Sequence, residues 1–371
     1  MRYLSIFALI SLLFSCSEPK KEIVDEMVLE QKIAQLLMVG FRGTELRDTN
    51  RIIADIKERN LGGVVLFDYD VEHKGLRNIE SPEQVKKLAH DLQALSESKL
   101  LIAIDQENGL VNRLKSKYGF PNFSASAQYL GSIDNLDSTR AWADSTAALL
   151  ADLGINLNFA PVADVNVNPA SPAIGNKERS YSADPAIVAK HAGAVIDGHT
   201  AHGVMTCLKH FPGHGSAKSD SHAGFTDLTD TWSKKELSPF ADLIKSDQAT
   251  MVMTAHVFNK NLDEEYPATL SEKVIHGVLR EELGWKGVVI SDDMHMGAIT
   301  ENYGLEDAIE KSLNAGVDIL VFANNNGRFY DGDATSKAIA IIKKLIDEDK
   351  VSIERIEESL SRIDALKGKL M

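Results

Sequence analysis

Eight short apolar runs, separated by amphipathic stretches, constrain what this chain can fold into more than any other feature it has. They read QLLMVGF, GVVLF (63 to 67), LLIAID (100 to 105), INLNFAPV (155 to 162), GVMTCLKHF (203 to 211), ATMVMTAH (249 to 256), GVVISDD (287 to 293) and DILVFA (318 to 323). Runs that are apolar on both faces suit parallel strands covered by helices. The intervening segments supply those helices, since PEQVKKLAHDLQAL, PAIVAKHAGAVIDGH, SEKVIHGVLREEL and ATSKAIAIIKKLIDE carry apolar residues at three- and four-residue spacing. Eight such units close a barrel, and no G-x-G-x-x-G follows the first run to favour an open doubly wound sheet. The expected fold is α/β, a single-domain (β/α)8 TIM barrel over residues 29–371.

Barrels of this kind carry their active sites at the C-terminal ends of the strands. Those ends are polar here: Asp105, Asp164, Lys209, His210, His256, Asp292, Asp293 and Asn324. Packing needs none of them. Asp164 and Asn324 read as caps of the following helix or turn. Asp105, Lys209, His210 and Asp292 come from different strands and would converge on one mouth, which points to function. Nucleic acid is excluded as a partner, because 54 acidic residues outweigh 40 basic ones and the basic residues form no stripe.

The stretch KHFPGHGSAKSDSH, residues 209 to 222, invites a metal reading, with His210 and His214 four apart. Pro212 and Gly213 lie between them and break a helix, so this spacing cannot set both rings on one helical face. Further along, Asp220 and His222 stand two apart in a loop-like segment. A carboxylate bonded to one ring nitrogen fixes the tautomer and raises the basicity of the other, which makes an acid/base near neutral pH. The alternative is an Asx-turn beside a solvated histidine. A strand-end carboxylate such as Asp292 facing a proton donor meets the need of retaining glycoside hydrolysis.

KHFPGHG followed by DSH, with ISDDM downstream, resembles glycoside hydrolase family 3, in particular its single-barrel bacterial β-N-acetylglucosaminidases. IDQENGLVNRL, NLNFAPVADVN, ERSYSADP, ELSPF, MTAHV, PATLS and GVDILVFAN follow in the family's order, from about Ile33 through Phe322. The resemblance implies an exo-acting, retaining β-N-acetylglucosaminidase that needs no cofactor or metal. It makes Asp292 the nucleophile, His222 the acid/base and Asp220 its orienting partner. It makes Lys209, His210, Asp105, Arg113 and Arg179 the residues that bind a small carbohydrate substrate. Adjacent strand residues point to opposite faces, so only one of Asp292 and Asp293 can aim at the sugar, and the resemblance picks Asp292. Two departures stand out: the family's D-x-E-G-G-R-V has Asn108 for a glycine and Leu110 for an arginine, and Ser216 follows KHFPGHG. Phosphate in place of water as the acceptor is a permitted variant. A β-glucosidase or β-xylosidase, or an inactive lipid-anchored glycan-binding protein, are the alternative readings.

The first 16 residues, MRYLSIFALISLLFSC, read as an export signal, too short to span a bilayer comfortably. Leu13-Phe14-Ser15-Cys16 resembles a lipoprotein processing site, with an ordinary cleaved signal or an uncleaved anchor as alternatives. Residues 17–28 read as a tether. The expected location is the cell envelope, with membrane contact only through lipid on Cys16. Cys207, in an apolar run, reads as a small buried core residue.

Overall fold

A computed structural model describes residues 26–221, 224–325 and 330–370. The stretch expected as an export signal, Cys16 and His222 lie outside the described residues. Helix α1, Glu26–Ala34, begins inside the stretch expected as a tether.

Every apolar run becomes a strand. The set is β1 (Leu37–Gly40), β2 (Gly63–Leu66), β3 (Leu101–Ile104), β4 (Leu157–Asn158), β5 (Met205–Thr206), β6 (Leu208–Phe211), β7 (Met251–Thr254), β8 (Val288–Asp293) and β9 (Ile319–Phe322). Nine strands arise from eight runs because GVMTCLKHF is interrupted at Cys207. Its first piece, β5, pairs with β4, and its second, β6, pairs with β7. All pairings in this sheet are parallel, in the order β5-β4-β3-β2-β1-β9-β8-β7-β6. The two ends of the sheet are thus halves of one run, and a bridge between Val162 and Lys209 extends the seam past β4. The sheet closes into the expected barrel.

Strand residues are buried on both faces, with Leu37, Leu101, Ile102, Val289 and Ile290 at 1% exposure or less. Each such aliphatic side chain contributes about 1.5–3 kcal/mol when buried. The surrounding helices start where their sequences say they should. Ser81 accepts from Gln84 N at the head of Pro82–Leu95, and Asp184 accepts from Ala186 N at the head of Pro185–Ala201, each with proline in the first turn. Ser352 does the same for the final helix, Ile353–Lys367.

One buried cluster ties that final helix to the bottom of the barrel. Asp318, just before β9 and fully buried, accepts from Arg355 (2.8 Å), Arg362 (2.9 Å) and Arg280 (2.9 Å). It also takes the Ser359 hydroxyl and the Val289 N–H, both at 2.9 Å. Both carboxylate oxygens are fully engaged.

Two strands break the regular ladder, and both carry polar residues at the mouth. Along β6, Leu208 pairs with Val252 but Phe211 with Thr254, so Lys209 and His210 lie in a bulge. Along β8, Ile290 pairs with Ile319 but Asp293 with Val321, so a second bulge falls beside Asp292. Bulges re-aim side chains. The expectation that only one of Asp292 and Asp293 faces the mouth, drawn from strict alternation, is corrected by this second bulge: both line the same cavity.

Candidate active site

A cavity of about 580 Å3 opens at the C-terminal ends of the strands, within the usual size of a small-molecule site. Asp105, Arg113, Arg179, Lys209, His210 and Asp292 all line it, so six of the residues singled out from the sequence come together in space.

Lys209, 2% exposed, occupies the floor. Its ammonium donates to Asp105 Oδ1 at 2.7 Å and lies 2.5 Å from Glu107 Oε1. Burial alone would discharge this lysine, but the two carboxylates outweigh it and hold its pKa above the ordinary value. An ammonium has three donors, so one remains for a ligand hydroxyl. Arg179 grips Glu107 through both edges, with Nε to Oε2 at 2.8 Å and Nη2 to Oε1 at 2.7 Å, and its Nη1 donates to Ala173 O at 3.0 Å. Burial pushes the Glu107 carboxyl up, yet Arg179 and Lys209 pull it well below the usual range. Arg113 lies 3.6 Å from Asp105 and 3.9 Å from the buried Asp68, which also receives Lys115 at 2.5 Å.

Glu107 lies two residues beyond Asp105, and that spacing was the available signal for a second carboxylate on the same side of an extended strand end. The turn that holds it is tight. Asn108 has a φ of 73° and bridges to Val111, while Gly109, at φ 60°, passes so close to Ser126 that a Cβ would come within 2.8 Å. Asparagine tolerates the left-handed region, which accounts for its place where the resemblance has glycine. Its side chain then bonds Gln106 at 2.9 Å and Thr146 at 3.1 Å. Leu110, at the tip, is 66% exposed on the lip of the cavity.

His210 is held from both sides. Its Nδ1 lies 2.7 Å from Asp164 Oδ2, and its Nε2 lies 3.1 Å from Arg179 Nη2. Arginine can only donate, so Nε2 is the acceptor and Nδ1–H the donor to Asp164. Asp164 also accepts the backbone N–H of His214 at 2.7 Å. The reading of Asp164 as a helix cap is therefore corrected. It is a fully buried carboxylate that fixes the His210 tautomer, and the His210 ring N–H and the His214 backbone N–H hold it charged against the cost of its burial. Asn324 does act as a turn staple, bonding both the N–H and the C=O of Asp331.

His210 and His214 do not face a common point. Their rings meet edge to face at 6.0 Å, and His214 Nε2 turns to Ser221 Oγ at 3.0 Å. Burial lowers the His214 pKa to about 4 and keeps its ring neutral. Ser216 packs beneath the same loop, its N–H 3.2 Å from Glu236 Oε2. Burial and the Asp164 charge push Glu236 up to about 7. Asp220 accepts from Lys177 at 3.3 Å.

The two acidic residues ending β8 differ in their commitments. Asp293 Oδ1 accepts the N–H groups of His295 (3.1 Å) and Ala323 (2.9 Å), and burial raises its pKa. The Asp292 carboxylate accepts its neighbour's N–H at 2.8 Å and borders the cavity. Its charge and that of Asp105 add to burial in pushing up the pKa of the Cys207 thiol, a buried core residue as expected.

Comparison with known proteins places the chain by family and fold. A curated "Beta-hexosaminidase A" of Pseudoalteromonas piscicida is 34% identical over 337 residues, covering 85% of this chain and 54% of the relative. A solved glycoside hydrolase family 3 β-N-acetylglucosaminidase from Paenibacillus sp. FPU-7 superposes with a TM-score of 0.82 at 34% identity, covering 92% of this chain and 62% of that one. The chain thus spans little more than half the length of these two relatives. A β-N-acetylhexosaminidase structure from Beutenbergia cavernae matches end to end, with a TM-score of 0.79 at 28% identity over 92% of this chain and 98% of its own. Residues 28–366 match the family described as Glycosyl hydrolase family 3 N terminal domain, and the chain belongs to glycoside hydrolase family 3.

Proposed function

We infer that this protein is an exo-acting, retaining β-N-acetylglucosaminidase. The observation that carries the reading is the cavity itself: a floor of paired charges from β3, β6 and the Arg179 loop, with the Asp292 carboxylate on its wall. Charged groups held in place are strong partners for sugar hydroxyls, and a pocket with a closed floor favours a chain end. Relatives that carry the name β-hexosaminidase support the amino sugar over glucose or xylose.

In this reading Lys209, His210, Asp105, Arg113 and Arg179 hold the terminal sugar. An Asp292 oxygen bonds the anomeric carbon as the glycosidic C–O bond breaks, and His222, oriented by Asp220, gives its proton to the leaving oxygen. Water then attacks the glycosyl-enzyme, His222 takes the proton, and Asp292 leaves. The natural substrates would be peptidoglycan fragments or amino-sugar oligosaccharides, met in the cell envelope by a protein anchored through lipid on Cys16.

The test compares chromogenic β-linked N-acetylglucosamine, glucose and xylose on protein lacking residues 1–16. Turnover of the amino sugar alone, reduced by about 10^4 or more in Asp292→Asn, is the expected result. Hydrolysis of glucose or xylose instead would sink the substrate assignment, and full activity in Asp292→Asn would sink the nucleophile. For the anchor, Cys16→Ala in the full chain should move the protein from the membrane to the soluble fraction.

A further inference from the structure

Glu107 has no role in the chemistry above, yet it is the most heavily engaged acid in the cavity. Its side chain is 6% exposed and takes three cationic contacts: two from Arg179 and one from Lys209. Carboxylates this well paired are costly to bury unless every partner is in place. The formal charges lining the cavity also balance, five carboxyl groups that include Asp105, Glu107 and Asp292 against five cations that include Lys209, Arg113 and Arg179. A floor holding the same cations without Glu107 would carry one surplus positive charge, in a buried concave site with two side chains suited to an oxyanion.

We propose that Glu107 is a positioning and specificity-determining residue, which aims Lys209 and Arg179 at the hydroxyls of a neutral sugar and keeps the pair from serving as an anion site. It works through its partners and touches no reacting atom. The argument has two parts. The bidentate bond fixes the plane of the Arg179 guanidinium, and through Arg179 Nη2 it also fixes the acceptor nitrogen of His210. Neutralising Glu107 while keeping its shape leaves the amide with a single acceptor oxygen for two cations.

This inference rests on the sugar-binding reading of the cavity, and its test is arranged to separate the two. Binding of N-acetylglucosamine and of inorganic phosphate to the unreacted full chain is measured by calorimetry for wild type, Glu107→Gln, and the double variant Glu107→Gln/Lys209→Met. Alongside, kcat and KM are taken on the chromogenic amino sugar. Glu107→Gln should bind the sugar about tenfold more weakly and phosphate about tenfold more tightly, with the loss in turnover appearing mainly in KM. The double variant, which restores the charge balance, should lose the gained phosphate affinity. A residue that is merely structural would weaken both ligands together. Phosphate affinity unchanged or lower in Glu107→Gln overturns the proposal, as does a double variant that still binds phosphate tightly. A wild type that binds no N-acetylglucosamine defeats the sugar reading, while the phosphate comparison still decides the role of Glu107. Should Glu107→Gln fail to fold, Glu107→Asp carries the same measurements: the shorter carboxylate keeps the charge but not the reach, so sugar affinity should fall with no gain for phosphate.

Discussion

Two buried ion clusters stand at opposite ends of the same barrel, and they are built differently. At the bottom, one carboxylate, Asp318, meets three guanidiniums and two further donors, and nothing about it opens to a cavity. At the mouth, Asp105, Glu107, Lys209, Arg179 and Arg113 share their bonds around a space of about 580 Å3. At the bottom both Asp318 oxygens are taken by the fold, although the Arg280 Nε there is buried without a partner. At the mouth a Lys209 donor and the Arg113 Nε are left over among the described residues, and Arg113 Nε is buried without a partner. Each cluster leaves one guanidinium nitrogen unpaired, so what separates them is space: the mouth cluster lines a cavity that a ligand can fill, and Asp318 and its arginines do not.

Substitution tests that contrast directly. Lys209→Met should cut kcat/KM by about 10^2–10^3 while moving the thermal midpoint by less than about 3 °C, because Asp105 keeps Arg113 and Glu107 keeps Arg179. Steady-state kinetics beside a melting curve reads both. Asp318→Asn should do the reverse: about 3–5 kcal/mol of stability lost and a midpoint about 6–10 °C lower, with KM unchanged. If Lys209→Met melts as early as Asp318→Asn, the mouth cluster is structural after all and the comparison fails.

A smaller effect comes from Glu236 under the histidine loop, facing Ser216, Gly213 and the charge of Asp164. Its folded pKa is about 7, against 4.5 for an ordinary glutamate, so its contribution to stability is full below about pH 4.5 and is lost as pH rises through 7. Glu236→Gln has no such loss. It should melt about 4 °C above wild type at pH 8 and within about 1 °C of it at pH 5. Equal shifts at both pH values would place the cost elsewhere. The smallest change is expected from Leu110→Arg on the lip: stability within about 0.5 kcal/mol, and KM for neutral aryl glycosides altered less than about threefold. The same variant should favour leaving groups that carry a carboxylate, which competition between neutral and anionic aglycones would measure.

Much of this architecture is legible without coordinates, because buried parallel strands demand continuous apolar runs and the helices between them announce their caps. The fifth strand is the exception. GVMTCLKHF reads as one run, and no pattern in it marks Cys207 as the break, since the interruption comes from neighbours on two sides. The site followed the same division. Lys209, His210, Asp105 and Asp292 end apolar runs, where a charge is conspicuous. Asp164 ends one too, but its role depends on His210 and His214, which only the fold brings within reach. Glu107 and Glu236 sit inside quoted motifs, and their importance lies in what they touch across 102 and 20 residues of chain, to Lys209 and Ser216 respectively. The two bulges were equally hidden, because a register shift leaves no trace in alternation that a polar strand end has already blurred.

Lys209 stands on the strand that the barrel uses as its seam, and its ammonium reaches across to Asp105 at the end of β3. A chain in which β5 and β6 have not both found their neighbours has Asp292 on β8 but no floor beside it. The site comes into being only when the circle is complete. A ligand gripped by that floor therefore reports a chain whose two edges have met.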